Sequence, residues 1–526
     1  MKKFILFFIF HSLISLSFSQ STNLLLKGFL DDNNLSMNNL DIKVETLILK
    51  NNKCIQTYYT DFFFLSILTD EETSQIVAYS IDNGLTNTEQ LNFHNQLLSS
   101  MWENAEIKKI KTLEKSGKAE TYGPYLTSLF GQSNCHDENG QIINVSNIYC
   151  PSNAPVGCVA ISLASVLHYY EWPNSGSGNI SYMDNIGKLK NTHEVNFEIE
   201  TINWSQIVKR YDYEKTTKSE REELAKLCYH SAVAIEMDFE MSGSTSNVNK
   251  IPLAFSRYFK HYGEYIENTS SQFFDKIDSM MHKKSIVILS ISGNGFGHSI
   301  ICDGLKLDNT NTKYYHLNMG WWGNSNGWYT INSSFNAGGY TIIDGGIFNI
   351  LPAPDIKANY QHNTFYLSWE NSDFFESNGY ELQVKIGRNN WKTIANLTSE
   401  KTFEYENNEN ANYAFRVRQK YSNFQNIVAW SNTAQYDNSI TKISYEVNPN
   451  KIIIYPNPSN NYINIETSQE YFHSPYEIIS MYGHILIYGN LSDINKSIYI
   501  GNLKPEMYIL KIYNQNTTIS KIFIKN

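Results

Sequence analysis

Cys158 is the residue of this chain best placed to become a nucleophile. It stands in Pro155-Val-Gly-Cys-Val-Ala-Ile-Ser-Leu-Ala-Ser-Val-Leu-His-Tyr-Tyr, directly before a helical pattern with Val159, Leu163, Val166 and Leu167 on one side. A cysteine at a helix start faces unpaired backbone N–H groups and the positive end of the helix dipole, and both stabilise a thiolate. Gly157 lets the chain approach closely at that point. The competing reading, a buried structural cysteine, is not excluded by this segment alone. A second segment, Gly293-Asn-Gly-Phe-Gly-His298-Ser-Ile-Ile, delivers a histidine on a glycine-rich approach to a β-like run, 140 residues beyond Cys158. An imidazole beside a thiol takes its proton, holds the thiolate–imidazolium pair, and later protonates a leaving amine. Taken alone, His298 reads as readily as a strand-end histidine bonded to a carbonyl.

Two further groups fit the same chemistry. After His298, the run His316-Leu-Asn318-Met-Gly-Trp321-Trp322, followed by Trp328, offers an amide and three indoles. An amide orients an imidazole and indoles shield that bond from water, although ordinary aromatic packing also uses such residues. Upstream, Phe130-Gly-Gln132 places a glutamine 26 residues before Cys158. Its NH2, with the Cys158 backbone N–H, would hold a developing oxyanion. This is acyl transfer, for which no metal or other cofactor is expected. A zinc site from Cys135, His136 and Cys150 lacks a fourth ligand.

These segments resemble the streptopain family of secreted cysteine peptidases. That family carries a Trp-Gly-Gln segment, a Pro-Thr-Gly-Cys-Val-Ala-Thr-Ala helix start followed by Tyr-Tyr/His and a Lys-Tyr-Pro ending, a Gly-His strand and an Asn-Trp-Gly-Trp-Gly-Gly turn. Here the matching residues are Phe130-Gly-Gln132, Gly157-Cys158-Val-Ala, Tyr169-Tyr-Glu-Trp-Pro173, Gly297-His298 and Asn318-Met-Gly-Trp321-Trp-Gly323. The resemblance implies Cys158 as nucleophile, His298 as base, Gln132 as an oxyanion donor and Asn318 beside the imidazole. The loop Met241-Ser-Gly-Ser is similar to the family's substrate loop, which implies Ser242, Ser244, Gly297 and Trp321 as substrate contacts. Met319 replaces the first Trp of the family turn, Trp322 replaces a Gly, and Ser162 and Ser165 alter the face after the nucleophile. A methionine side chain supplies no indole, which leaves Asn318 and Trp321 to orient His298. The alternative is a catalytically decayed homologue acting as a surface adhesin. A transglutaminase-like or amidase enzyme would use the same nucleophile with an acceptor-amine preference.

The elements that must position these residues form several domains, since 526 residues at roughly 150 per domain is about 3.5. With 41% hydrophobic and 14% aromatic residues the chain can build real cores. The 42 basic residues against 52 acidic ones give a charge of −10, with no basic patch for nucleic acid. Residues 1–20 read as a signal peptide, too short in its apolar run for a lasting transmembrane segment. Residues 21–118 show β-like runs and a helix from about Thr88 to Leu113, and resemble the inhibitory prosegment of these zymogens. Residues 119–352 are the catalytic domain. Residues 353–442 alternate like a fibronectin type III β-sandwich, and 443–526 resemble the C-terminal sorting domain of type IX secretion. The expected fold is therefore α+β: a papain-like two-lobed cysteine peptidase with an α+β prosegment and two C-terminal all-β sandwich domains. The expected partners are protein or peptide substrates, the chain's own prosegment and the type IX machinery, with export through the periplasm and outer membrane to the cell surface or medium. Six cysteines leave room for a local Cys135–Cys150 bridge, which spacing alone does not decide.

Overall fold

A single antiparallel sheet joins the N-terminal segment to the catalytic region in this computed structural model. The structure describes residues 22–526 apart from 34, 36–39, 51–52, 71–73, 87, 103–118, 133–134, 137–138, 140, 185–190, 212–215, 294–295, 309–311, 332–341, 437–451, 468–473, 481–484, 492–496 and 515–516. The signal peptide and the stretch beyond Trp102 of the expected long helix lie outside the described residues.

The N-terminal segment contains α1 (22–32), β1 (Lys43–Ile48), β2 (Cys54–Tyr59), β3 (Phe64–Thr69), β4 (Ser74–Ser80) and α2 (Thr88–Trp102). Helix α1 and strand β2 were not among the expected elements. β3, Phe-Leu-Ser-Ile-Leu-Thr, is buried along its whole length because it is covered on both faces. Leu65 and Ile67 share a cluster with Leu26, Phe29 and Leu30 of α1, while Phe64 and Leu68 join Leu98 and Trp102 of α2. That alternation is the period-2 pattern of a strand read from two sides.

The catalytic region begins with β5 (Glu120–Tyr122) and a short hairpin of β6 (Cys135–His136) and β7 (Ile142–Ile143). It continues through α3 (Cys158–Tyr170), a second hairpin of β8 (Asn179–Met183) and β9 (Thr192–Asn196), and α4 (Lys218–Ala234). A capping box between Thr217 and Glu220 starts α4. α5 (Ile251–Ala254), β10 (His261–Glu267) and α6 (Phe273–His282) lead to β11 (Val287–Gly293), β12 (Phe296–Leu307), β13 (Lys313–Asn318), β14 (Gly327–Tyr329) and β15 (Ile342–Pro352). The sheet runs β1-β2-β3-β4-β14-β13-β12-β11-β15-β10, with β5 added on β12. Its seam is the pairing of Trp328 with Tyr79 and of Tyr329 with Ala78. α3 lies in the core with eleven of its thirteen residues buried, packed on α4 and β12.

Two compact units divide the chain: residues up to 408 with 414–435, and 409–413 with 436–526. In the first, the strands between Asp355 and Tyr436 form antiparallel sheets of three and four. This sandwich shares the catalytic core, since Phe375, Tyr421 and Phe424 belong to the same cluster as α3. The Phe374 ring lies 4.8 Å from Tyr170, at the end of α3 opposite Cys158, and Tyr421 donates to the Pro352 carbonyl at 2.7 Å. In the second unit, two small sheets between Ile452 and Ile524 enclose a core that includes Ile463, Ile478, Leu510 and Phe523.

The local bridge between Cys135 and Cys150 is not made. Cys150 is a free thiol buried in the catalytic core, where it packs as an apolar side chain. Among the described residues no group of His, Cys, Asp and Glu is arranged to hold a metal ion, and no helix is long and apolar enough to cross a membrane.

Candidate active site

The turn that delivers Cys158 explains the glycine before it. Gly157 has φ +94°, and a Cβ there would lie 2.5 Å from Met237 Cε and 3.4 Å from the Ser244 carbonyl. Glycine alone lets the segment of Met237 to Ser244 close against the backbone beside the nucleophile. Cys158 is then half-buried at the first position of α3, where the Val159 N–H reaches its sulfur.

His298 comes from β12, which packs on α3, and its imidazole hydrogen-bonds the Cys158 thiol. Nε2 lies 3.0 Å from the Met319 carbonyl. A carbonyl only accepts, so Nε2 carries a proton and Nδ1 is left to face the thiol. Burial pushes the Cys158 thiol up, but the hydrogen bond and charge of His298 and the N–H groups of Ser299 and Val159 outweigh it, leaving the thiol below its ordinary value. Burial likewise lowers His298, yet the bond and charge of Cys158 and the Met319 carbonyl raise it above an ordinary imidazole. The two shifts belong to one coupled pair, in which each group favours the charged form of the other. The Trp321 ring lies 5.4 Å from the His298 ring and screens it.

Asn318 does not orient the imidazole. Its Nδ2 donates to the Ser128 carbonyl at 3.1 Å, and its Oδ1 accepts from the Gly320 N–H at 3.0 Å. Both ends of the amide are spent on bracing the loop, and the orienting acceptor is the next residue's backbone carbonyl. The departure at position 319 therefore matters less than its side chain suggests, because any residue brings that carbonyl.

Gln132 is tied to the nucleophile through Gly157, whose N–H donates to Gln132 Oε1 at 2.8 Å. A backbone N–H only donates, so Oε1 is the end facing Gly157, and Nε2 remains the amide's donor. Gly131 pairs with Trp321 in an isolated antiparallel bridge, so the Gln132 segment also contacts the loop that serves His298. Of the substrate-contact candidates, Trp321 and Gly297 lie beside His298, and the Ser244 carbonyl faces Gly157. Ser242 is exposed on the turn closed by Asp238 and Thr245, Ser244 Oγ accepts from the Glu240 N–H at 3.1 Å, and Gly297 is exposed beside His298.

Three contributors carried no sequence signal of their role. The Met319 carbonyl is backbone, and its N–H is in turn held by Asn326 Oδ1 at 2.8 Å. Ser299 and Ser162 share a buried hydroxyl–hydroxyl bond of 2.9 Å between β12 and α3, one turn along from Cys158. Ser162 was visible only as a departure from the family pattern, and its partner lies 137 residues away.

A thiol–imidazole pair at the start of a buried helix, with an amide donor beside it, defines a cysteine-type acyl-transfer hydrolase. Residues 139–329 match the Peptidase C10 family, and 453–526 match the secretion system C-terminal sorting domain. Residues 139–329 thus carry a C10-type cysteine peptidase domain, and the C-terminal sorting domain marks the chain for export to the cell surface or medium. It is 22% identical to streptopain of Streptococcus pyogenes over 318 residues, covering 55% of this chain and 78% of the relative. It is 26% identical to the thiol protease/hemagglutinin PrtT of Porphyromonas gingivalis, covering 49% of this chain and 30% of that protein. A prointerpain A fragment of Prevotella intermedia superposes with a TM-score of 0.44 at 21% identity, over 58% of this chain and 97% of the fragment.

Proposed function

We propose that this exported cysteine endopeptidase cleaves protein substrates through a thioester on Cys158, with His298 as the proton carrier and Gln132 as an oxyanion donor. The observation that carries the reading is the shared hydrogen bond of Cys158 and His298 with its opposed pKa shifts. The thiolate adds to the scissile carbonyl, and the oxygen takes up negative charge between Gln132 Nε2 and the Cys158 N–H. His298 then gives its Nδ1 proton to the amide nitrogen, the C–N bond breaks, and the amine leaves the acyl group on sulfur. Water attacks the thioester, its proton passes to His298 Nδ1, and the carboxylic acid departs to restore the thiolate–imidazolium pair. Ser242, Ser244, Gly297 and Trp321 would line the substrate's path. A decayed binding protein has no support in the site, where nucleophile, base and amide are all present.

The N-terminal segment, residues 21–118, is read as the inhibitor of a zymogen. Supporting this, β4 pairs with β14, and Asn83 Oδ1 lies 3.0 Å from where a Cβ on Gly323 would stand, in the loop that serves His298. The test is hydrolysis of casein by the matured protein, with Cys158→Ala and a thiol alkylator as controls. Retained activity in C158A, or an inert protein once the N-terminal segment is removed, would sink the assignment.

A further inference from the structure

The two segments that supply the oxyanion donors are joined by a buried asparagine outside the candidate site. Ser146 and Asn147, each fully buried, sit in a single 3-10 turn (Val145–Asn147) that packs on α4. Ser146 Oγ donates to the Gly131 carbonyl at 2.5 Å. Asn147 Nδ2 donates to the Gln132 carbonyl at 3.2 Å, and its Oδ1 accepts from the Val156 N–H at 2.9 Å. With the bond from the Gly157 N–H to Gln132 Oε1 at 2.8 Å, these contacts form a closed ring. It runs from the Gln132 backbone through the Asn147 amide to Val156, along one peptide to Gly157, and back through the Gln132 side chain.

An oxyanion site works only when its donors converge on one oxygen, and a misplacement of about 1 Å removes much of the benefit. Here the two donors belong to separate segments, Gln132 on one and Cys158 on the other. We propose that Asn147 is a positioning residue for the oxyanion site, its amide fixing the distance and angle between the Gln132 segment and the turn of Val156, Gly157 and Cys158. Asparagine suits this place because one planar group must both donate and accept. Aspartate accepts only, and leucine of similar volume does neither. Cys158 is also held by α3, which packs on β12, and His298 by β12 and the Met319 carbonyl, so loss of the Asn147 amide would shift the Gln132 segment against the turn while the pair keeps its main supports.

The inference rests on the proposed roles of Cys158 and Gln132, and the experiment separates it from them. Full chains carrying Asn147→Ala, Asn147→Asp, Gln132→Ala, or both Gln132→Ala and Asn147→Ala are matured in trans by a trace of the wild-type enzyme. Peptide hydrolysis and the rate of Cys158 alkylation by iodoacetamide are then measured across pH. N147A is expected to lower kcat about tenfold to a hundredfold with KM little changed, in the range seen when an oxyanion donor is lost. Its alkylation rate and pH profile stay at wild-type values, because alkylation needs the thiolate and no oxyanion site. In the Q132A background the same change adds less than about threefold. N147D, which keeps the acceptor for Val156, provides the same comparison if N147A folds poorly. Alkylation falling in step with hydrolysis, full additivity with Q132A, or wild-type kcat in both Asn147 variants would overturn the proposal. Wild-type kcat in Q132A, or hydrolysis by C158A, would instead overturn the reading of the site on which it rests.

Discussion

His94 Nδ1 lies 3.3 Å from the Tyr329 hydroxyl, across the seam where the N-terminal strands join the catalytic sheet. Tyr329 donates its own proton to the Ser325 carbonyl at 2.7 Å, so it accepts from His94, while His94 Nε2 pairs with Ser66 Oγ at 2.9 Å. The Phe64 ring closes the site at 4.6 Å, and none of these contacts carries a charge. The imidazole is held neutral: burial pushes its pKa down to about 3.

That burial predicts acid weakening of the N-terminal segment. Once undocked, His94 binds a proton near the ordinary value of about 6.5, which the docked form refuses. The docked state is fully favoured above that value and loses about 1.4 kcal/mol per pH unit as pH falls from about 6.5 towards 3. In a C158A background, melting temperature between pH 7.5 and 4.5 should fall more steeply with His94 than with His94→Gln. Parallel curves would remove His94 as the source.

The coupled pair predicts thiolate reactivity below the ordinary thiol range. Because His298 lowers the Cys158 thiol, the alkylation rate should begin to rise at a pH below the ordinary thiol range. His298→Ala should push the onset up towards about 8.5 and cut kcat by roughly 10²–10⁴. An unchanged alkylation profile in H298A would contradict the pairing.

Orientation of His298 by a backbone atom predicts an inversion of side-chain importance. Met319→Leu, a volume-conserving change at a buried site, should cost under about 1.5 kcal/mol of stability and leave kcat within about threefold. Asn326→Ala removes the acceptor for the Met319 N–H and should lower kcat about tenfold, a modest positioning loss. The reverse order of effects in steady-state assays would assign the role to the Met319 side chain.

Gly157→Ala should be among the least tolerated substitutions near the site. The new Cβ would meet Met237 Cε at 2.5 Å and hold alanine at φ +94°. Strain of this kind costs about 1–3 kcal/mol, and denaturant unfolding together with kcat would register both the strain and the displaced nucleophile. Wild-type stability and activity would show that the turn relaxes freely.

Local signals made the main elements legible in the sequence. Glycine before a cysteine before an apolar helical repeat locates the start of α3, and a glycine-rich approach to Ile-Ile locates His298 on a strand. The joining of β4 to β14 was not legible, because sheet partners separated by about 250 positions leave no periodic trace. Asn318 was assigned to His298 because an amide stood in the right stretch, yet its bonds are made to Ser128 and Gly320. The Met319 carbonyl has no side-chain identity to read, and Asn147 acts through partners on two other segments.

The shared sheet also decides what a departing N-terminal segment leaves behind. Without β4, the row of backbone groups on β14 faces solvent, and a bare strand of this kind recruits other chains edge to edge. β14 is only three residues long, Gly-Trp-Tyr, too short to template a stable foreign strand. If the N-terminal segment is removed as proposed, the sheet margin it uncovers is therefore too short to seed self-association.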